Sequence, residues 1–131
     1  MKERPREPEP TELAAALGRG LRLFNLGRYM AAHEVWEAVW RDAPQEDRGF
    51  FEALVQLAAG LHLRTRRAGT RGAEHLLSQS LATLEDFRPA RHGVDVERLV
   101  VEFGAYVDWV REIKRPHKLL DGRHIPRLRR A

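Results

Sequence analysis

The stretch Gln45-Glu-Asp-Arg-Gly-Phe-Phe51-Glu-Ala-Leu-Val55-Gln-Leu-Ala-Ala-Gly60-Leu-His62-Leu-Arg-Thr-Arg-Arg67 decides the fold class. Phe51, Leu54, Val55, Leu57, Ala58, Leu61 and His62 recur at intervals of three and four residues, the period of one helix face, and no period-two alternation competes with it. The face is broad. Ala53, Ala59 and Gly60 let neighbouring backbones approach closely, so the segment reads as a central helix.

Working outward, Pro44 sets the start of this helix and the end of the one before it, because a residue preceding proline is pushed out of helical geometry. That earlier helix runs from about Arg28 to Arg41. A first helix begins at Thr11, read as its N-cap. It carries Leu13, Ala16, Leu17, Gly20, Leu21 and Phe24 at helical spacing, and Gly27 suits a left-handed C-cap. Beyond the central helix, Ala68-Gly69-Thr70 breaks the chain. A fourth helix over 71–87 buries Ala73, Leu76, Leu77, Ser80, Leu84 and Phe87. A fifth, from the N-cap Asp95 to Lys114, buries Val96, Leu99, Val100, Phe103, Tyr106, Val107 and Val110. The expectation is an all-α, single-domain bundle of about five helices at 11–114, mostly antiparallel because the loops are short. Residues 1–10 hold three prolines among alternating charges and read as disordered. Residues 115–131 read as a basic tail that adds little to the core, since Pro116, Gly122 and Pro126 interrupt them and no apolar period appears.

The densest chemistry lies in the second helix, Ala32-His33-Glu34-Val35-Trp36-Glu37-Ala38-Val39-Trp40. At about 100° per residue, His33, Trp36, Glu37 and Trp40 project within roughly a 100° arc. The i, i+4 pair His33 and Glu37 offers two ligands to one divalent cation, whereas catalytic zinc and iron sites usually take three. His62, in mid-stripe on the central helix, is the candidate third. Glu34 and Glu52 are reserves. The same residues also read as a helix-surface pair worth about 0.2–0.5 kcal/mol, or as a tie between two helices. A tryptophan at helical spacing is, in the same way, ordinarily packing.

The run from Phe24 to Trp40, then Ala53 to His62, then Gly72-Ala73 with Leu76-Leu77, resembles a family of small prokaryotic proteins called domain of unknown function family 309. The resemblance spans about residues 20–100. Its hallmark is a histidine, three residues, a glutamate, two residues and a tryptophan or tyrosine, met here by His33, Glu37 and Trp40. The resemblance implies a functional patch of His33, Glu34, Glu37 and Trp40, with metal binding suggested for the family. Paired histidines near the end of the central helix are usual in relatives, and this chain has His62 alone.

Composition narrows the alternatives. The chain has 131 residues, 43% of them hydrophobic, enough to bury one core without staples. It has no cysteine, which excludes thiol nucleophiles, zinc knuckles and disulfides and fits a cytoplasmic location. No apolar run reaches the roughly 18 residues of a membrane span, and no phosphate-binding glycine loop appears. Ser78 and Ser80 sit mid-helix with no elbow turn, so serine hydrolysis is disfavoured. The net charge of +4 belongs to the tail, where seven Lys/Arg over 114–131 face Asp121 alone. Nucleic-acid binding through Arg123, Arg127, Arg129 and Arg130 ranks low, because no stacking platform or groove-reading motif accompanies the charge. Three functions stay in view: a divalent metal or small polar ligand at His33, Glu37 and His62; a protein-interaction or homo-oligomer surface on Trp36, Trp40 and Phe24; and nucleic acid on the tail.

Overall fold

A computed structural model describes residues 8–66, 71–113 and 124–131. The proposed disorder of residues 1–7 and the break at 68–70 lie outside the described residues. Among the described residues there are five α-helices: α1 (Pro10–Asn25), α2 (Tyr29–Trp40), α3 (Gln45–Arg66), α4 (Arg71–Leu84) and α5 (Val96–Ile113). Each packs on the next, and α3 lies between α2 and α4 as the central element. The architecture is the all-α bundle read from the sequence.

Helix α1 buries Leu13, Ala16, Leu17, Gly20, Leu21 and Phe24, the six positions its period selects. It starts one residue before the expected N-cap. Glu9 occupies that position and Pro10 is the first helical residue, where a missing N–H and a fixed φ cost nothing. Its end is a Schellman turn: Gly27 at φ 81° donates to the Phe24 carbonyl and Arg28 donates to the Leu23 carbonyl, both at 2.9 Å. Trp36 from α2 drops into the notch that Gly20 leaves, with no exposed surface, and packs beside Phe24 at a ring separation of 6.1 Å. The α3–α4 contact is similarly close. A Cβ on Gly60 would meet Leu77 at 3.0 Å, and the buried Ser80 hydroxyl donates to the Ala53 carbonyl at 2.7 Å.

Three features depart from the sequence reading. Helix α4 ends at Leu84 rather than at 87, and Glu85–Phe87 form a 3-10 turn. A hairpin follows it, β1 (Ala90–Arg91) paired antiparallel with β2 (Val94–Asp95), too short for any period-two signal to register. Its turn residues, His92 at φ 48° and Gly93 at φ 75°, both lie in the left-handed region that two-residue hairpin turns require. Asp95 then caps α5 as expected, accepting the Arg98 N–H at 3.0 Å.

The third departure corrects the reading of the tail. Residues 124–131 dock on the bundle, and Leu128 is buried in the core. The Asn25 amide receives Leu128 as a strand partner would, donating to its carbonyl at 2.9 Å and accepting from its N–H at 2.8 Å. Arg130 bridges Val94, with Arg129 and Ala131 bonded to Asp95 and Gly93, so the segment lies antiparallel against the free edge of β2. Its backbone hydrogen bonds, satisfied this way, make docking possible for a segment with a single buried leucine.

Candidate functional site

Helix α2 turns Ala32 and Trp36 inward, which leaves His33 and Glu37 on the edge of its apolar stripe. The His33 side chain is 21% exposed and that of Glu37 47%. Across the groove to α3, His33 Nδ1 lies 3.2 Å from the Val55 carbonyl oxygen, and Nε2 lies 3.0 Å from Glu37 Oε2. Both partners can only accept, so a neutral ring donates to one of them, through Nδ1 to Val55 or through Nε2 to Glu37, and turns a lone pair to the other. With the proton on Nδ1, Nε2 is a lone pair facing a carboxylate, an arrangement that a cation between the two atoms makes favourable. A backbone carbonyl that fixes the tautomer of a histidine while the other nitrogen faces outward is also the usual support of a metal-ligating imidazole.

The remaining sequence candidates are dispersed. His62 is half-buried and lines a separate hollow of about 290 Å³ with Tyr29, Met30 and Thr65. Its position on the flank of the stripe removes the need for internal partners that a mid-stripe imidazole implied. Among the described residues, no three His, Asp or Glu side chains come together in a group able to hold a metal ion. Glu34 is exposed on α2 and Glu52 half-buried on α3. Trp36 and Phe24 belong to the core, which corrects their assignment to a partner-facing patch: neither offers surface to a partner. Trp40 is half-buried, with the Arg41 guanidinium 5.7 Å from its ring centre. Arg129 of the basic tail faces Glu102 at 3.6 Å, and Arg123 lies outside the described residues. Burial pushes the Tyr29 phenol up to about 12. Among the described residues, no helix is long and apolar enough to cross a membrane.

A second polar cluster escaped sequence reasoning. Asp47, in the first turn of α3, is buried, and its Oδ1 accepts from Arg91 Nε at 2.9 Å, from the same guanidinium's NH2, and from His92 Nε2 at 2.8 Å. Burial pushes the Asp47 carboxyl up, but Arg91 and His92 outweigh it and hold the group below the usual carboxylate value. The His92 ring lies 5.9 Å from Phe50 and 6.3 Å from Phe51. These partners stand 44 and 45 residues from Asp47, so no local spacing announced them. The visible hint was the His92-Gly93 dipeptide, whose glycine suits a tight turn.

Residues 17–76, from the middle of α1 through the motif and α3 into α4, match the family described as Domain of unknown function (DUF309). No curated protein and no solved structure matches the chain. The DUF309 stretch therefore contains the His33–Glu37 pair and its Val55 support, while the hairpin and the docked C-terminal segment lie beyond it.

Proposed function

We propose that the DUF309 stretch is a binding domain whose α2–α3 edge takes a divalent cation, or the cationic group of a small polar ligand, between His33 Nε2 and Glu37 Oε2. The observation that carries this reading is the 3.0 Å approach of those two atoms, with the Val55 carbonyl oxygen 3.2 Å from Nδ1 and able to hold the ring proton there. Adjacent ligands of an octahedral ion at metal–ligand distances near 2.1 Å stand about 3.0 Å apart, so the separation of the two atoms matches that of two ligands on one cation. Two protein ligands leave the other coordination positions to water or to the ligand's own donors. His62 plays no part in this form of the site.

Elemental analysis of natively purified protein, followed by calorimetric titration with Zn²⁺ and Mn²⁺, tests the reading. One equivalent of uptake, lost in His33→Ala and in Glu37→Gln with folding intact, supports it. Absence of uptake, or equal uptake by His33→Ala, reduces the pair to a hydrogen-bonded tie between α2 and α3.

A further inference from the structure

The geometry points to a second site, for a small apolar carboxylate, in the cavity between α1, the start of α3 and the β1–β2 turn. The cavity measures about 350 Å³, within the range of small-molecule pockets and at its lower end. Leu13 and Leu17 of α1 and Phe51 of α3 supply apolar wall, and Pro10 and Pro44 give it edges whose backbone φ is fixed in advance. A ligand therefore meets a preformed surface.

Two charged elements line this apolar space. Asp47 and His92 are one, and the Asp47 charge is already answered by Arg91. Arg130 is the other, its guanidinium lying between α1 and the hairpin turn: its two terminal nitrogens sit 3.5 Å from where a Cβ would stand on Gly18 and on Gly93. No carboxylate among the described residues forms an ion pair with Arg130. The uncompensated charge on the cavity wall is thus positive. A planar guanidinium takes a carboxylate through two parallel hydrogen bonds, and apolar walls select an apolar body attached to it.

His92 gives the site an independent mark. Its φ of 48° is a conformation in which glycine or asparagine would be at ease, yet the position holds an imidazole fixed by Asp47 and flanked by Phe50 and Phe51. The ring closes the turn side of the cavity.

The full chain, labelled with ¹⁵N, is titrated with 3-phenylpropionate, 3-phenylpropan-1-ol and 3-phenylpropylamine while amide resonances are followed. The carboxylate moves the signals of Leu13, Ala14, Asp47 and His92 saturably, at least tenfold more tightly than the alcohol, and the amine does not bind. Arg130→Gln loses at least tenfold in affinity with the Leu128 and Asn25 signals unchanged, which keeps loss of binding distinct from loss of docking. Ala14→Trp, filling the cavity from an exposed position on its rim, abolishes binding. His33→Ala binds as the parent does, so this site and the α2–α3 site stand or fall separately. No saturable shift up to about 10 mM, equal binding of acid and alcohol, or unchanged affinity in Arg130→Gln overturns the proposal.

Discussion

Replacing Gly20 with alanine is the sharpest single perturbation of this fold. A Cβ there would lie 2.0 Å from Trp36 Nε1, 2.2 Å from Cε2 and 2.8 Å from Cδ1. Ordinary contact begins near 3.4 Å, so the indole or α1 must give by about 1.4 Å. Trp36 has no exposed surface and Phe24 beside it is also buried, so neither ring can swing into solvent. Overpacking of a filled core costs about 1–3 kcal/mol, and the upper end applies where the obstacle is a rigid bicyclic ring. Against this, alanine gains about 1 kcal/mol over glycine in a helix interior. The net expectation is a loss of about 2 kcal/mol, read as a urea midpoint shift and a fall in Tm of roughly 6–10 °C for a domain of this size. Gly104→Ala is the matched control. Nothing stands within 4 Å of its Cβ position in α5, so propensity acts alone and stability rises by about 0.5–1 kcal/mol. Trp36→Phe introduced into the Gly20→Ala protein should recover part of the loss. The indole N–H has no partner among the described residues, so the smaller ring forfeits no hydrogen bond and the two effects are non-additive. A Gly20→Ala protein as stable as its parent would refute the seating of Trp36 against α1.

Other consequences can be checked with the same unfolding assays. Leu128→Ala should cost about 2–4 kcal/mol, as for a leucine deleted from a packed core; a loss under about 1 kcal/mol would mean that the C-terminal segment does not seat. Asn25→Ala strands both the N–H and the carbonyl of Leu128, and should cost about 1–3 kcal/mol by urea unfolding. Because Arg91 and His92 lower the Asp47 carboxyl, its contribution to stability is complete above its unfolded value of 3.8 and is lost as pH falls through the lower folded value. Asp47→Asn should therefore flatten the acid limb of the stability profile, and parallel limbs would contradict the pairing. Tyr29 works in the opposite direction: its folded value of about 12 exceeds the unfolded 10.0, so its contribution holds below 10.0 and disappears as pH rises through about 12. Tyr29→Phe should remove that alkaline transition from the ultraviolet titration.

What the sequence disclosed follows from how far each determinant reaches along the chain. The buried face of α1 and the Asp95 cap of α5 are local facts, written within one or two turns, and the structure repeats them. The His33–Glu37 contact is likewise an i, i+4 relation that the helix enforces. His62 is half-buried rather than in mid-stripe, because a stripe's edge and its middle differ by one residue's rotation, which angular arithmetic on an ideal helix resolves poorly. The hairpin and the docked end left no periodic trace, being two residues a strand and one leucine among arginines and a proline. Their usable signal was indirect: Asn25, the chain's only asparagine, beside the α1 terminus, and His92-Gly93 as a turn pair. Asp47 was visible only as an acidic residue in a first helical turn, because its partners come from the far side of α4.

The bond between Asn25 and Leu128 joins residues 103 positions apart, and it has a bearing on how the protein is made. At about 5–20 residues per second, a ribosome releases α1, α2 and α3 several seconds before Leu128 is available to them. These helices meet through neighbours in sequence, and their contacts can form while synthesis continues. Until residues 124–131 arrive, the Asn25 amide and the open edge of β2 have only water to bond. Throughout that interval Arg130 is missing from the cavity beside α1, whereas His33, Glu37 and Val55 are already present. The residues of the proposed α2–α3 site thus leave the ribosome together, and Arg130 of the proposed carboxylate site follows them.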